Sequence, residues 1–433
     1  MSSTTVPVAA PGSSLPATKP VPAPFTPYQK IVVAILTFLQ FTIVLDFMIL
    51  SPLGARLMSE MHIAASRFGL VVSAYAFSAG ISGFLAAGFA DRFDRKRLLM
   101  FFYTGFLVGT LLCGIAPTYQ FLLVARIVTG VFGGVIGSIV LAIVADLFTF
   151  DQRGRVMGVV QTAFASSQVL GIPIGLILSN RWGWHAPFLM LTGLTTIAGV
   201  FIAIYLKPVD AHLKLQRDGN PILHLLKTVS QRRYLQAFAT MALLVTGGFM
   251  LMPFGSAFTV HNLGIPLESL GIIYLVTGMF SIVAGPLLGR FGDKVGKYAL
   301  FCMGSAVSTV MILIYTHLGI TPIWQVIVIN VLLFVGITSR IIASSALVSA
   351  VPDPAHRGSF MAVNASIQQV SGGVAAAVGG LIVVEAPDGS LARYDVLGFV
   401  VIASMAITVA AMYFIDRMVR RTNAGTAAAP ARK

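Results

Sequence analysis

The sequence predicts an all-α membrane protein with twelve transmembrane helices in two pseudo-symmetric six-helix bundles. Three observations predict it. Only 10% of the 433 residues are charged and 57% are hydrophobic. A soluble domain carries about 25% charged residues, so this chain has too few to cover a water-facing surface, and bilayer hydrocarbon is the solvent that fits. Apolar runs of spanning length follow one another twelve times. Local charge patterns then recur at nearly one offset: Asp91 and Asp293 stand 202 residues apart, and Arg153-Gly154 and Arg357-Gly358 stand 204 apart.

Taken in order, residues 1–29 are rich in Pro, Ala, Ser and Thr and read as a disordered cytoplasmic tail. They lack the charged start, short apolar stretch and cleavage site of a signal peptide. The predicted spans are Ile31–Leu53, Phe68–Ala90, Leu98–Ala116, Phe121–Ala145, Val156–Leu178 and Ala186–Leu206 (spans 1 to 6), then Ala237–Val260, Leu270–Leu288, Tyr298–Tyr315, Ile323–Val348, Phe360–Val384 and Val396–Phe414 (spans 7 to 12). All are close to the roughly 20 residues that a bilayer core requires. The connections are short except the polar, basic stretch 207–236, which separates a first bundle, 30–206, from a second, 237–417; residues 418–433 form a second cytoplasmic tail.

With the N-terminus taken as inside, inner segments hold 23 of the 29 Lys and Arg. Outer loops hold only Arg56, Arg67, Arg181 and Arg393. By the positive-inside rule both termini are expected in the cytoplasm. The net charge of +14 is therefore spread over every inner loop, whereas a nucleic-acid site would concentrate it on one element. No nucleic-acid partner is expected. Cys113 and Cys302 lie in apolar runs without zinc-type spacing, all seven His fall in loops or at helix ends, and no phosphate-binding loop appears. No metal, cofactor or enzymatic chemistry is expected.

The loop after span 2, Ala87-Gly88-Phe89-Ala90-Asp91-Arg92-Phe93-Asp94-Arg95-Lys96-Arg97, resembles the signature loop of the major facilitator superfamily, Gly-x-x-x-Asp-Arg-x-Gly-Arg-Arg/Lys. Asp91, Arg92, Arg95 and Lys96 match; Ala87 and Asp94 stand where the pattern has Gly. The copy after span 8 matches at Gly289, Asp293, Lys294, Gly296 and Lys297. The resemblance implies the two-bundle fold with a substrate site near midplane, and a charged latch that braces the cytoplasmic side when the protein faces outward. Asp146, at the inner end of span 4, is expected to pair with Arg95. The plainer alternative is that these charges only set topology.

Span 4 carries Arg126-Ile127-Val128-Thr129-Gly130, which resembles the Arg-x-x-x-Gly pattern of proton-coupled members. A charge inside the bilayer costs at least ~2.5–3.5 kcal/mol on insertion scales and needs a partner or a cavity. Asp46 in span 1 is the natural partner. At 1.5 Å per residue it lies roughly 24 Å from Lys30 at the inner end, and Arg126 roughly 10 Å from Tyr119 at the outer end, so both fall in the outer half. Such a pair reads either as a proton-coupling site or as a fixed ion pair joining two helices. Span 5 carries Gly158 and Gly171-Ile172-Pro173-Ile174-Gly175, which resembles the Gly- and Pro-rich antiporter motif of efflux branches, including the permeases described as sugar or arabinose exporters. With Gly130, these glycines are expected to let helices pack closely.

Arg340 in span 10 has no evident acid in its own half; it faces an anionic substrate or bonds backbone carbonyls. Phe47, Gln168, Asn330, Asn364 and Gln368, with Arg340, are candidates for a substrate cavity, against the alternative of hydrogen bonds between helices. The resemblance implies a monomeric multi-pass transporter of the inner (plasma) membrane, in contact with lipid, exporting a small organic compound or drug in exchange for protons. A proton-coupled importer of a small, anionic metabolite and a non-transporting membrane receptor or scaffold are the alternatives.

Overall fold

The computed structural model describes residues 24–86, 89–210, 213, 231–352, 357–386 and 389–428. Of the disordered tail expected at 1–29, residues 1–23 lie outside the described residues and Pro27–Gln29 open the first helix instead; of the central stretch 207–236, residues 214–230 lie outside them and Arg232 already opens a helix. Twelve helices are long and apolar enough to cross a membrane: α1 Pro27–Ile49, α2 Ala65–Ala86, α3 Arg95–Gly114, α4 Tyr119–Leu147, α5 Gln152–Trp182, α6 Ala186–Tyr205, α7 Arg232–His261, α8 Leu267–Val295, α9 Lys297–Thr316, α10 Ile323–Ser349, α11 Ser359–Ile382 and α12 Tyr394–Arg421. An even number of spans puts the start of α1 and the end of α12 on one side, the termini side; the opposite side is called the far side. A two-residue hairpin, Val384–Glu385 with Leu391–Ala392, links α11 to α12 on the far side.

Number and order agree with the predicted spans, but helix ends differ where caps and prolines decide. α1 starts at Pro27 because Thr26 and Gln29 form a reciprocal capping box, with Pro27 as the first helical residue. It stops at Ile49 rather than Leu53. Pro52 lacks an N–H and its ring opposes the carbonyl one turn back, so the chain turns through residues 50–53 and resumes as a short helix, Gly54–Met61. α7 breaks in the same way: regular to Leu251, a tight turn Met252–Phe254 around Pro253, then Gly255–His261. These breaks, 201 residues apart, are a further repeat. α5 widens into a π turn at Ser167–Gly171, just before Pro173. Without an N–H on Pro173, the preceding carbonyls shift partner, and an extra residue in the turn absorbs the mismatch.

Packing places the bundles. On the far side one apolar core is common to both: Leu45, Ile49, Phe68, Ile172 and Phe188 from the first bundle, and Met250, Phe254, Phe258, Ala376 and Tyr394 from the second. On the termini side the core divides. Leu36, Leu99, Tyr103, Ile136 and Ile202 form one within the first bundle, and Tyr234, Phe238, Phe301, Leu347 and Phe360 another within the second. The bundles are thus joined at one end.

Two seams run between them. Along α2 and α11 small residues bring backbones together: a Cβ on Gly69 would sit 2.7 Å from the Ala376 carbonyl oxygen, and one on Gly80 2.6 Å from Val370. Along α5 and α8 the contact reaches only part way. A Cβ on Gly278 would sit 3.0 Å from Val169. Past it, from Met279 to Val295, Gly292 alone is buried. That stretch of α8 is covered on neither side, so the seam parts toward the termini side.

Gly80→Val drives a branched side chain against Val370 and the Ser366 carbonyl. Overpacking of this kind costs about 1–3 kcal/mol. The expected outcome is a lower thermal midpoint for purified Gly80→Val and an equal or slightly raised midpoint for Gly158→Ala, where a Cβ meets no atom within 4 Å and alanine favours the helix; thermal unfolding in detergent checks both.

Candidate functional site

The site grows from helix packing in the first bundle. Asp46 sits one turn before the end of α1 and is wholly buried, as is Arg126 on α4. Arg126 Nη1 donates to Asp46 Oδ2 at 2.9 Å, and Thr110 Oγ1 on α3 donates to Oδ1 at 3.3 Å. The guanidinium lies over the ring of Tyr75 on α2, 4.5 Å from its centroid. Thr129, one turn from Arg126, bonds the Ala125 carbonyl at 2.7 Å and touches Cys113 Sγ at 3.7 Å. Four helices therefore meet around one ion pair.

Glycines make that meeting possible. A Cβ on Gly130 would lie 2.4 Å from the Tyr75 carbonyl oxygen, and one on Gly109 2.8 Å from the Thr129 backbone. The four-residue spacing from Arg126 to Gly130 now has a physical meaning: one turn of α4 presents the charge to α1 and the next lets α4 lie on α2. On the other flank of Asp46, a Cβ on Gly171 would meet Leu45 and one on Gly175 would meet Ile49, each at 2.6 Å. With Pro173 between them, α5 seats directly against α1. Gly158 departs from the expected packing role. A Cβ there meets nothing within 4 Å.

Phe47 follows Asp46 and leaves the bundle. Its ring lies 5.5 Å from Tyr75 and 5.6 Å from Phe249 on α7. The charged pair is thus in ring contact with the opposite bundle through two aromatics. Beyond Phe47, on the far side, the two proline breaks cross. Ser51 donates to the Met252 carbonyl, and Ser256 donates to the Ser51 carbonyl at 2.8 Å while accepting the Ala55 N–H at 3.2 Å.

The charged loops hold within their own halves. Arg95 Nε donates to Asp146 Oδ2 at 3.2 Å and Nη1 to the Ala90 carbonyl at 3.0 Å. Lys96 Nζ reaches the Ala203 carbonyl at 2.8 Å, and Arg92 is exposed. Asp94, where the family pattern has Gly, caps α3 by accepting the Lys96 N–H and also accepts the Val209 N–H at 2.8 Å. The Asp91 side chain lies outside the described residues. In the second copy Lys297 pairs with Asp293 at 2.6 Å on the surface, and Lys294 is exposed.

The cavity candidates do not gather in one place. Gln168 lies in the π turn against Gly278. Asn330 turns back to the Val326 carbonyl of its own helix at 2.9 Å. Gln368 is half-buried on α11. Arg340 and Asn364 are buried in the second bundle, away from Asp46. Sequence reasoning missed Thr110 and the role of Tyr75 beneath Arg126; short helix-to-helix glycine contacts were the available signal. Among the described residues no group of three or more His, Cys, Asp or Glu is placed to hold a metal.

Residues 36–376 match the family model of the Major Facilitator Superfamily. The chain belongs to this superfamily. It is a multi-pass membrane transporter and not an enzyme. An uncharacterised MFS-type transporter of Bacillus subtilis (strain 168), YceJ, is 28% identical over 266 residues, covering 61% of this chain and 67% of the relative. Multidrug resistance protein 1 of the same organism is 24% identical over 319 residues, covering 71% and 78%. Among solved structures, a point mutant of the nucleoside transporter NupG superposes with TM-score 0.73 at 14% identity, over 89% of this chain and 99% of NupG. A bacterial homologue of the human lysosomal transporter Spinster, in an inward-facing, unoccupied conformation, gives 0.68 at 14% identity, over 92% and 97%.

Removing one member of a buried pair strands the other and costs about 3–5 kcal/mol, whereas replacing both by apolar groups is near neutral. Asp46→Leu and Arg126→Met are each expected to lower the thermal midpoint of the purified protein sharply. The double variant is expected to recover most of the loss, which thermal unfolding of all three measures.

Proposed function

We propose that this chain exports a small organic compound in exchange for protons by alternating access, with Asp46 carrying the proton. The observation that supports this most is the buried Asp46–Arg126 pair: one carboxylate deep in the span, held by one arginine and by the Thr110 hydroxyl, with an aromatic route to the opposite bundle. A carboxylate in this setting has two stable partners, the guanidinium and a proton, and each displaces the other.

The conformation suits the loading step. With the termini side in the cytoplasm, as the distribution of Lys and Arg favours, the parted seam between α5 and α8 opens inward while the crossed proline breaks close the outside. Asp46 is then unprotonated and paired with Arg126. Substrate enters from the inside, and the bundles rock about their shared core. A proton arriving from outside neutralises Asp46 and releases Arg126 toward Tyr75; the movement of Tyr75 and Phe47 against Phe249 carries the change to the second bundle as substrate leaves. In the outward-open state the loop charges Asp91, Arg92, Arg95, Lys96 and Asp146, with Asp293, Lys294 and Lys297, come together as an inner latch. The similarity to multidrug resistance proteins of Bacillus subtilis supports export as the direction.

In an efflux-deficient bacterial host, wild type is expected to lower the accumulation of at least one compound in a broad panel. Asp46→Asn, expressed at the same level, is expected to lose that effect, together with compound-dependent proton movement in everted vesicles. Raised accumulation by wild type would reverse the direction to import, and a fully active Asp46→Asn would remove Asp46 from the mechanism.

A further inference from the structure

Three arginines are buried among the described residues: Arg95, Arg126 and Arg340. Arg95 faces Asp146 and Arg126 faces Asp46. Arg340 has no carboxylate within 4 Å among the described residues, and two of its nitrogens, Nε and Nη2, are buried without a hydrogen-bond partner. Its stem packs on α9, where a Cβ on Gly304 would lie 3.3 Å from Arg340 Cγ. Its guanidinium lies 5.5 Å from the centre of the Phe301 ring. A ring face offsets only part of the cost of burying a guanidinium.

The surroundings are polar in the same unfinished way. Ser305 and Ser308 share with Phe301 and Gly304 the face of α9 that meets α10, and the hydroxyls of both are buried without a partner. Ser308 Oγ lies against Gly336, one turn from Arg340. Arg340 stands nine residues from the termini-side end of α10, roughly 14 Å along the helix.

The chemistry of the free edge is specific. Nε–H and Nη2–H point the same way on one side of the guanidinium, the edge that grips two oxygens of a carboxylate through parallel bonds. Serine hydroxyls beside it supply further donors. We propose that Arg340 receives the carboxylate of the transported compound, so that the substrate is an organic anion and the two bundles divide the work: proton on Asp46 in the first, substrate charge on Arg340 in the second. This rests on the transport reading above. Binding draws the long Arg340 side chain from its packed position on Phe301 to the carboxylate, exchanging a ring contact for two charge-assisted hydrogen bonds.

The test uses the purified full chain in neutral detergent without anionic lipid, and matched probes: naphthoate against naphthamide, and octanoate against octanamide. Wild type is expected to bind at least one carboxylate about tenfold or more tightly than its amide, which is about 1.4 kcal/mol. Arg340→Gln is expected to lose this preference. Arg340→Lys, which keeps the charge without the fork, is expected to keep a reduced one, and it decides the matter if the Gln variant does not fold. Asp46→Asn is expected to keep the ratio of carboxylate to amide affinity, even where both affinities change, while losing compound-dependent proton movement in everted vesicles, so failure of the coupling reading is told apart from failure of this one. Equal binding of carboxylate and amide, no binding of either carboxylate up to millimolar concentration, or an unchanged preference in Arg340→Lys overturns the proposal.

Discussion

A carboxylate and a guanidinium facing each other inside a bilayer-spanning bundle set the terms for the rest of this structure. Both lose their water on burial, and their mutual attraction offsets that loss only at hydrogen-bonding distance with the remaining polar atoms attended to. Asp46 and Arg126 meet at 2.9 Å, but the pair is not self-sufficient. It needs the Thr110 hydroxyl on the second carboxylate oxygen and the Tyr75 ring under the guanidinium. That in turn requires α1, α2, α3 and α4 to approach at one depth; Gly109 lets α3 lie on α4 and Gly130 lets α4 lie on α2, while Gly171 and Gly175 seat α5 behind α1.

Much of this was legible in the sequence, and the reasons are local. Twelve spans follow from run length, because hydrocarbon thickness leaves little choice. The depth of Asp46 and Arg126 follows from helix rise alone. What composition did not reveal was where a helix breaks. The apolar runs continue straight through Pro52 and Pro253, and hydrophobicity carries no mark of a missing N–H. The π turn at Ser167–Gly171 was hidden in the same way, although Pro173 was noticed. Gly158 and Gly171 look alike as letters; one borders open space and the other a leucine, and that difference belongs to the conformation in which the bundles meet. Span surfaces facing lipid and core are both apolar, so periodicity did not sort the inner face from the outer one. Asn330 is a candidate for the substrate cavity by sequence, but its own helix supplies an acceptor at Val326.

The two bundles, alike in topology, differ in how they treat charge. The first gives its buried arginine a carboxylate partner, a neighbouring hydroxyl and an aromatic face, and leaves Arg126 Nε without a hydrogen bond. The second leaves the donors of Arg340 and the hydroxyls of Ser305 and Ser308 unmatched. The difference follows from substitution at single positions within a common scaffold: a spacing of 204 residues, as between Arg153 and Arg357, puts Asn330 opposite Arg126 and Ile136 opposite Arg340. A helical repeat preserves packing far more strictly than it preserves polarity, and so the halves share helices without sharing a site.

The crossing of the two proline breaks lies where the halves face each other about their pseudo-two-fold axis. On such an axis a residue meets its own counterpart. In a dimer of identical six-helix subunits, any change there arrives twice at once, and a serine must face a serine. Fusion into one chain lifts that condition. Ser51 here faces Met252, a donor against a backbone carbonyl, and Ser256 answers from the next turn. A junction that symmetry would have forced to be even-handed has become one with a giving and a receiving side, and each can change without the other.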